Sequence, residues 1–278
     1  MKVQQKTFLF SIDLEDVREN VKDGDKYIDR VAENTSLYLT WLRNHSAKCT
    51  FFVVGLIAER YPQLIQKIIN DGHEIACHSY KHIPLTVLGK DNFAIDIDKN
   101  LEALYKAGAS NITGFRAPTF SLTQDTRWAY DILASRGIRY SSSVLPAVNP
   151  LFGWPEFGNK PKKMSENIVE LPMTVSKILP LTVPIGGGVY FRVLPKVLLY
   201  PKIRKLFSEG LPLLSYIHPY DTDTKQEYFR QEHMTNPFFN WLMYYNRKNL
   251  FYRLDDVMKM GCKIMTYNDY INQNEFSF

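Results

Sequence analysis

Four short stretches of this 278-residue chain hold the residue types that hydrolytic chemistry needs, and each follows an apolar run. Phe8-Leu9-Phe10-Ser11-Ile12 runs into Asp13-Leu14-Glu15-Asp16, and His73 to Cys77 runs into His78-Ser79-Tyr80-Lys81-His82. Asn111 to Phe115 leads to Arg116-Ala117-Pro118, and Leu213 to Ile217 leads to His218-Pro219. His78 and His82 are four apart, so on one helical turn both rings project to the same side. Two imidazoles, a nearby carboxylate and a water form the ligand set of a catalytic zinc. A His-x-x-x-His spacing by itself is common on polar surfaces; the acidic cluster one strand end away gives it weight. In that cluster Asp13 comes first after the strand, Glu15 shares its face by the period of two, and Asp16 falls in the turn beyond. His45, His73 and His233 have no partner signal and read as surface or strand residues.

Strand and helix signals alternate along the chain and must position these groups. Helical stripes are expected over 29–44, 56–70, 91–106, 123–135 and 195–208, with a longer helical region over 236–260. Strands are expected at 8–12, 50–54, 73–77, 111–115, 138–142, 168–171, 213–217 and 263–266. Residues 144–190 read otherwise as irregular, being rich in Pro and Gly. Alternating β and α elements argue for a parallel sheet. No Gly-rich turn follows the first strand, so a single distorted (β/α) barrel is favoured over a dinucleotide-binding sheet. The Gly186-Gly187-Gly188 run reads as a backbone bend. In such barrels the strand C-termini carry the active site, which is where the polar residues fall.

Composition narrows the functional classes. The chain has 34 Lys+Arg against 29 Asp+Glu, a net +5, too weak a surplus to indicate nucleic acid. Arg192, Lys196, Lys202, Arg204 and Lys205 form a local basic excess, which either faces an anionic substrate or lipid headgroup or is a solvated helix face. The three cysteines, Cys49, Cys77 and Cys262, are far apart and read as reduced thiols, with Cys77 pointing away from His78 into the core. No apolar run is long enough to cross a membrane, and no signal-peptide core is seen, so a cytoplasmic protein is expected, or one peripheral at the inner membrane surface.

The strand-end residues, in this order, resemble those of the NodB-type polysaccharide deacetylases, carbohydrate esterase family 4. His78-Ser79-Tyr80-Lys81-His82 matches that family's H-[ST]-x-x-H motif, Arg116-Ala117-Pro118 its R-x-P motif, and Leu214 to Pro219 its late histidine motif. Thr50 to Gly55 and Gly72 to Ile75 also match. Ser11 to Asp16, Tyr140 to Val144 and Gly186 to Arg192 resemble the subgroup associated with exopolysaccharide and exosortase loci. The resemblance spans roughly residues 8–220 and implies a seven-stranded distorted barrel as a single domain over 1–278, with a helical C-terminal extension over about 221–278.

Carried over by position, the resemblance makes Asp13 the catalytic base, Arg116 the residue that orients it, and His218 the general acid. His78 and His82 become ligands of a divalent ion, most simply Zn2+. Where the family has a second aspartate this chain has Leu14, so Glu15 or Asp16 completes the metal site. The family's aspartate that tunes the late histidine has no recognisable counterpart. The matched motifs put Pro118, Gly187 and Tyr190 beside the substrate, and Trp154 is a candidate for stacking on a sugar ring. The activity implied is N-deacetylation of an amino sugar in a surface-glycan pathway (exopolysaccharide, capsule or O-antigen), on a free or lipid-linked glycan. An allantoinase-like amidohydrolase, an O-acetyl esterase and a non-catalytic glycan binder are the alternatives on the same fold.

Overall fold

The computed structural model describes residues 5–149, 151–178, 180–230 and 236–274. The first strand is interrupted at Phe10, giving β1 (Thr7–Leu9) and β2 (Ser11–Leu14). After α1 (Val31–Asn44) come β3 (Thr50–Val53), α2 (Gly55–Arg60), α3 (Pro62–Asn70), β4 (Glu74–Cys77) and α4 (Leu85–Lys106). Then follow β5 (Gly114–Phe115), α5 (Ala129–Ala134), β6 (Tyr140–Ser141), β7 (Lys162–Ser165), β8 (Ile168–Glu170), β9 (Val175–Ile178) and β10 (Leu181–Pro184). The chain continues through α6 (Gly188–Val193), α7 (Lys196–Ser208), β11 (Leu213–Leu214), α8 (Pro237–Tyr244), α9 (Leu250–Met258), β12 (Lys263–Ile264) and α10 (Tyr267–Gln273).

Seven strands form one sheet in the order β2-β3-β4-β5-β6-β8-β7, parallel except for the antiparallel β7. Backbone hydrogen bonds then carry the ring from beyond β8 back to β2. The Ile185 N–H donates to Thr174 O (3.0 Å), the Tyr216 N–H to Gly186 O (3.2 Å) and the Asp13 N–H to Ile217 O (2.8 Å). A distorted barrel results, with β1 held between β11 and β12 at its lower end.

The period of two separates two packed layers. Ile12, Phe51, Val53 and Cys77 face outward and pack under Tyr38 and Leu42 of α1 and Ile65 and Ile68 of α3. Phe52, Ala76, Tyr140, Val169 and Leu214 face inward and fill the barrel with Tyr267. Each fully buried side chain of this size contributes roughly 1.5–3 kcal/mol of transfer free energy. Cys49, Cys77 and Cys262 are all free and buried. Among the described residues no helix is long and apolar enough to cross a membrane.

Three differences from the sequence expectation have local causes. The helix expected over 56–70 breaks at Tyr61, whose ψ of 55° precedes Pro62, because proline bars the residue before it from the helical region. The helical region expected over 236–260 breaks after α8, where Asn246 takes a positive φ of 61°. The segment 144–190 contains not one strand but four, since β7 pairs with β8 and β9 with β10 as antiparallel hairpins. Their short length and flanking Pro and Gly conceal them.

His73, at the entry to β4, accepts the Cys49 N–H on Nδ1 (3.2 Å) and lies edge-on to Phe51. Burial, helped by Lys48, brings its pKa down to about 4. The unfolded chain therefore binds this proton first, and stability present at neutral pH is lost as the pH falls from about 6.5 towards 4. We expect this group to remove on the order of 1–2 kcal/mol over that window, discounted for partial exposure of the ring. Urea denaturation of His73→Gln across that range should show a flatter slope; an unchanged slope would exclude His73 as the origin.

Candidate active site

Arg116, directly after β5, is fully buried, and all five of its N–H donors are engaged. Nη1 donates to Asp13 Oδ1 (2.6 Å) and Ser11 Oγ (2.8 Å), Nε to Ser142 O (3.0 Å), and Nη2 to Ser142 Oγ (3.1 Å) and Tyr267 Oη (2.9 Å). The guanidinium also lies 4.0 Å from the centre of the Phe52 ring, an attractive cation–π geometry. Burial alone would favour the neutral form, but Asp13 and Tyr267 outweigh it and hold the pKa above its ordinary value. Asp13 is thereby fixed at the mouth of the barrel as an oriented carboxylate.

Beside it, donor atoms of Glu15, His78 and His82 lie within 4.8 Å of one another. His78 Nδ1 pairs with Arg116 O (2.8 Å), so Nδ1 carries the proton and Nε2 is left for the cluster. The two imidazoles stand edge to face at 4.9 Å. Glu15 Oε2 is 2.8 Å from His82 Nε2, yet it is buried without a hydrogen bond of acceptable alignment. Burial, with His82 nearby, brings the His78 pKa down to about 4 against the pull of Asp13 and Glu15. Burial alone would raise Glu15, but His82, His218 and His78 hold it well below the usual carboxylate range.

The two histidines do not share a helical turn. They sit on a loop in which Ser79 (φ 66°) and His82 (φ 55°) are left-handed. Such residues cost on the order of 1 kcal/mol or more each and persist only when their surroundings hold them. Here α4 does so: Asp96 accepts the Tyr80 N–H (2.8 Å), and Asn100 donates to Ser79 O (2.6 Å) and Val53 O (3.1 Å). The His82 N–H closes the loop on Ser79 Oγ (3.1 Å). Asp96 and Asn100 escape motif reading, but both fall on the inward stripe of α4 with Phe93, Ile97 and Leu101. A polar residue at an inward helical position is the signal that would have found them.

Asp16 faces away from the histidines. It caps the turn that follows, accepting the Arg18 N–H (3.0 Å), and its carboxylate pairs with the guanidinium groups of Arg18 (2.6 Å) and Arg60 (3.0 Å). His45 bonds its own helix at Trp41 O and lies 3.3 Å from Asp255, and His233 falls outside the described residues.

His218 follows the strand continuing from β11. Its Nδ1–H donates to Asp221 Oδ2 (3.1 Å), which also accepts the His218 backbone N–H (2.9 Å). Asp221 Oδ1 in turn receives Nε (3.1 Å) and Nη2 (2.9 Å) of Arg192, and both residues are wholly buried. Burial opposes protonation of His218, but Asp221 and Glu15 raise its pKa to about 9. Its ring stacks on Tyr220 at 4.7 Å, with Nε2 3.6 Å from Glu15 Oε1. The acid for which the sequence shows no counterpart is thus Asp221, three residues on in His-Pro-Tyr-Asp. Arg192 is corrected from a member of a surface basic patch to an interior partner, while Lys196 remains outside, paired with Asp256.

The three consecutive glycines follow from this packing. A Cβ at Gly186 would meet Leu214 O at 1.8 Å, at Gly187 the Tyr216 ring at 2.2 Å, and at Gly188 Asp221 Oδ2 at 2.0 Å. The open cleft above these groups is lined by Asp13, Glu15, His78, His82 and His218, with Phe120, Tyr190, Tyr216, Tyr220, Leu145 and Met243 as walls. Of the residues expected beside a substrate, Tyr190 lines the cleft. Gly187 supports the Tyr216 ring, and Pro118 opens the turn that presents Thr119 and Phe120. Trp154 meets Phe157 edge to face at 5.1 Å and is not among the lining residues.

Residues 22–139 match the family model described as polysaccharide deacetylase. Over these residues the chain is similar to the polysaccharide deacetylases. Residues 142–270 match a second model, a domain of unknown function, DUF3473. The deacetylase match holds His78, His82 and Arg116, the second holds Arg192, His218, Asp221 and Tyr267, and Asp13 and Glu15 precede both. Over 98 residues the chain is 32% identical to the peptidoglycan-N-acetylglucosamine deacetylase of Bacillus cereus, covering 35% of this chain and 36% of that protein. The chain thus spans about a third of that relative's length. Two crystal structures share the fold. One, assigned to the polysaccharide deacetylases and from Mycobacterium smegmatis, has a TM-score of 0.60 at 20% identity over 78% of each chain. The other, an allantoinase, has a TM-score of 0.62 at 13% identity, covering 97% of this chain and 90% of that one.

Gly188→Ala should drive a methyl group into the Asp221 carboxylate and separate it from His218. We expect a loss of stability of roughly 2–4 kcal/mol in chemical denaturation, as for overpacking that also disturbs a buried ion pair. Wild-type stability in this variant would refute the close approach.

Proposed function

We propose that the protein is a metal-dependent hydrolase that removes the N-acetyl group from an amino sugar of a surface glycan. The observation that carries this reading is the meeting, at one cleft, of a two-histidine, one-carboxylate cluster with an Arg-held aspartate and an Asp-held histidine. Two imidazole nitrogens and a carboxylate oxygen suit zinc with a fourth position open, and the buried, unbonded Glu15 Oε2 is an atom such an ion would satisfy. Glu15, His78 and His82 would hold it. A bound divalent ion supplies Lewis acidity towards the acetyl carbonyl and towards water.

The chain's own groups do the rest. Asp13, oriented by its ion pair with the Arg116 guanidinium, takes the proton from the attacking water. His218 has its Nδ1–H committed to Asp221, so Nε2 is the atom turned to the cleft and the one that protonates the departing amine. Phe120, Tyr190 and Tyr220 offer apolar ring faces to a pyranose and shield the reaction from bulk water.

The test is acetate release from N-acetylated glucosamine oligomers by protein of measured zinc content. His78→Ala and His82→Ala should lose both the ion and at least about a hundredfold in rate. Asp13→Asn should keep the ion and lose roughly 10²- to 10⁴-fold, separating the base from the ligands. Full activity in either histidine variant would overturn the metal role. Glu15→Gln should lower zinc occupancy whereas Asp16→Asn should not; the reverse order would move the third ligand to Asp16.

A further inference from the structure

We propose that Tyr267, contributed by the segment near the C-terminal end of the described chain, is a positioning residue that holds Arg116 against Asp13. The catalytic cradle is then complete only when β12 and α10 are docked in the lower mouth of the barrel. This inference rests on the functional reading above for the role of Asp13, but its geometric part does not.

Tyr267 is completely buried. Its hydroxyl accepts from Arg116 Nη2 (2.9 Å), on the guanidinium whose Nη1 binds Asp13 (2.6 Å). The ring is clamped edge-on by Phe52 at 5.3 Å and stacked on Tyr140 at 5.7 Å, so the hydroxyl has little freedom. Its backbone is clamped as well. The Tyr267 N–H donates to Thr50 Oγ1 (2.9 Å) and the Asn268 N–H to Glu74 Oε2 (3.1 Å). Glu74 also accepts the hydroxyls of Thr50 (2.5 Å) and Tyr140 (2.6 Å). A polar plug therefore anchors α10 on β3, β4 and β6, and from it one hydroxyl rises along the barrel interior to the arginine. Of the five acceptors around Arg116, four come from the β2 strand or the chain just after β6; Tyr267 alone comes from beyond the barrel's last large crossover. With that hydroxyl gone, a buried N–H of a charged group is left unpaired, and the penalty falls on the residue aligning the base.

Tyr267→Phe keeps both ring contacts and removes one oxygen atom. We expect kcat on N-acetylglucosamine oligomers to fall about tenfold with KM and zinc content unchanged. Tyr140→Phe removes a hydroxyl from the same plug but not from Arg116, and should lower Tm while leaving kcat within twofold of wild type. In an Arg116→Lys background, Tyr267→Phe should have no further effect on kcat. If Tyr267→Phe retains wild-type kcat, or if its loss is undiminished in the Arg116→Lys background, the proposal is overturned and the deacetylase reading stands. If the wild-type protein releases no acetate, that reading fails instead, and the inference is decided by hydrogen exchange of the Arg116 Nε–H resonance. Exchange at least about tenfold faster in Tyr267→Phe than in wild type supports it, and unchanged exchange overturns it.

Discussion

A guanidinium buried in the middle of a barrel is tolerable only if every donor is paired and its charge is answered, because removing a partner from such a group costs several kcal/mol. Arg116 meets that condition with one carboxylate, Asp13, and four neutral oxygens. The requirement propagates outward. Ser11 and Asp13 must share the inner face of β2, the chain after β6 must present both Ser142 oxygens, and Phe52 must lie flat beneath the charge. The backbone carbonyl of the same residue takes the His78 Nδ1–H and so sets that ring's tautomer. A large part of the inner surface is thus fixed by satisfying one side chain.

A second buried pair does the same work on the opposite wall. Arg192 and Asp221 are both inaccessible to water, and Asp221 spends its remaining oxygen on His218. Room for that carboxylate comes from deleting side chains, so glycine at 188 is as necessary to His218 as the aspartate. The two arginines differ in kind from the surface lysines near them, such as Lys196, whose exposed pair with Asp256 contributes little.

The strand-end residues were legible in the sequence because chemistry and position coincide there: Asp13, His78, Arg116 and His218 each follow an apolar run, Asp13, His78 and His218 line one cleft, and Arg116 holds Asp13 from within the barrel. The alternation that predicts a barrel is equally plain. What stayed hidden has a common cause, since partners depend on approach in space. Asp221 and Arg192 are 29 positions apart and carry no joint motif. Arg192 also sits among lysines and reads as surface charge until the fold buries it. The choice between Glu15 and Asp16 turns on Arg18 and Arg60, which draw Asp16 away from the histidines, and no spacing rule anticipates that. The left-handed loop from 78 to 82 is similarly invisible, because Ser79 is not a residue that ordinarily marks such a conformation and His82 reads first as a ligand.

The pairing of β1 with β12 sets Thr7 against Lys263 and Phe8 against Ile264. That ladder joins the two extremes of the described chain, so its loop-closure entropy is near the largest the described residues can incur. Contacts of such long sequence separation slow folding. A ribosome-bound chain could form β2 through β6 early, yet the strand that flanks β1, β12, emerges long after it. Catalytic competence would be acquired only once β12 and α10 have been made, in a single late closure.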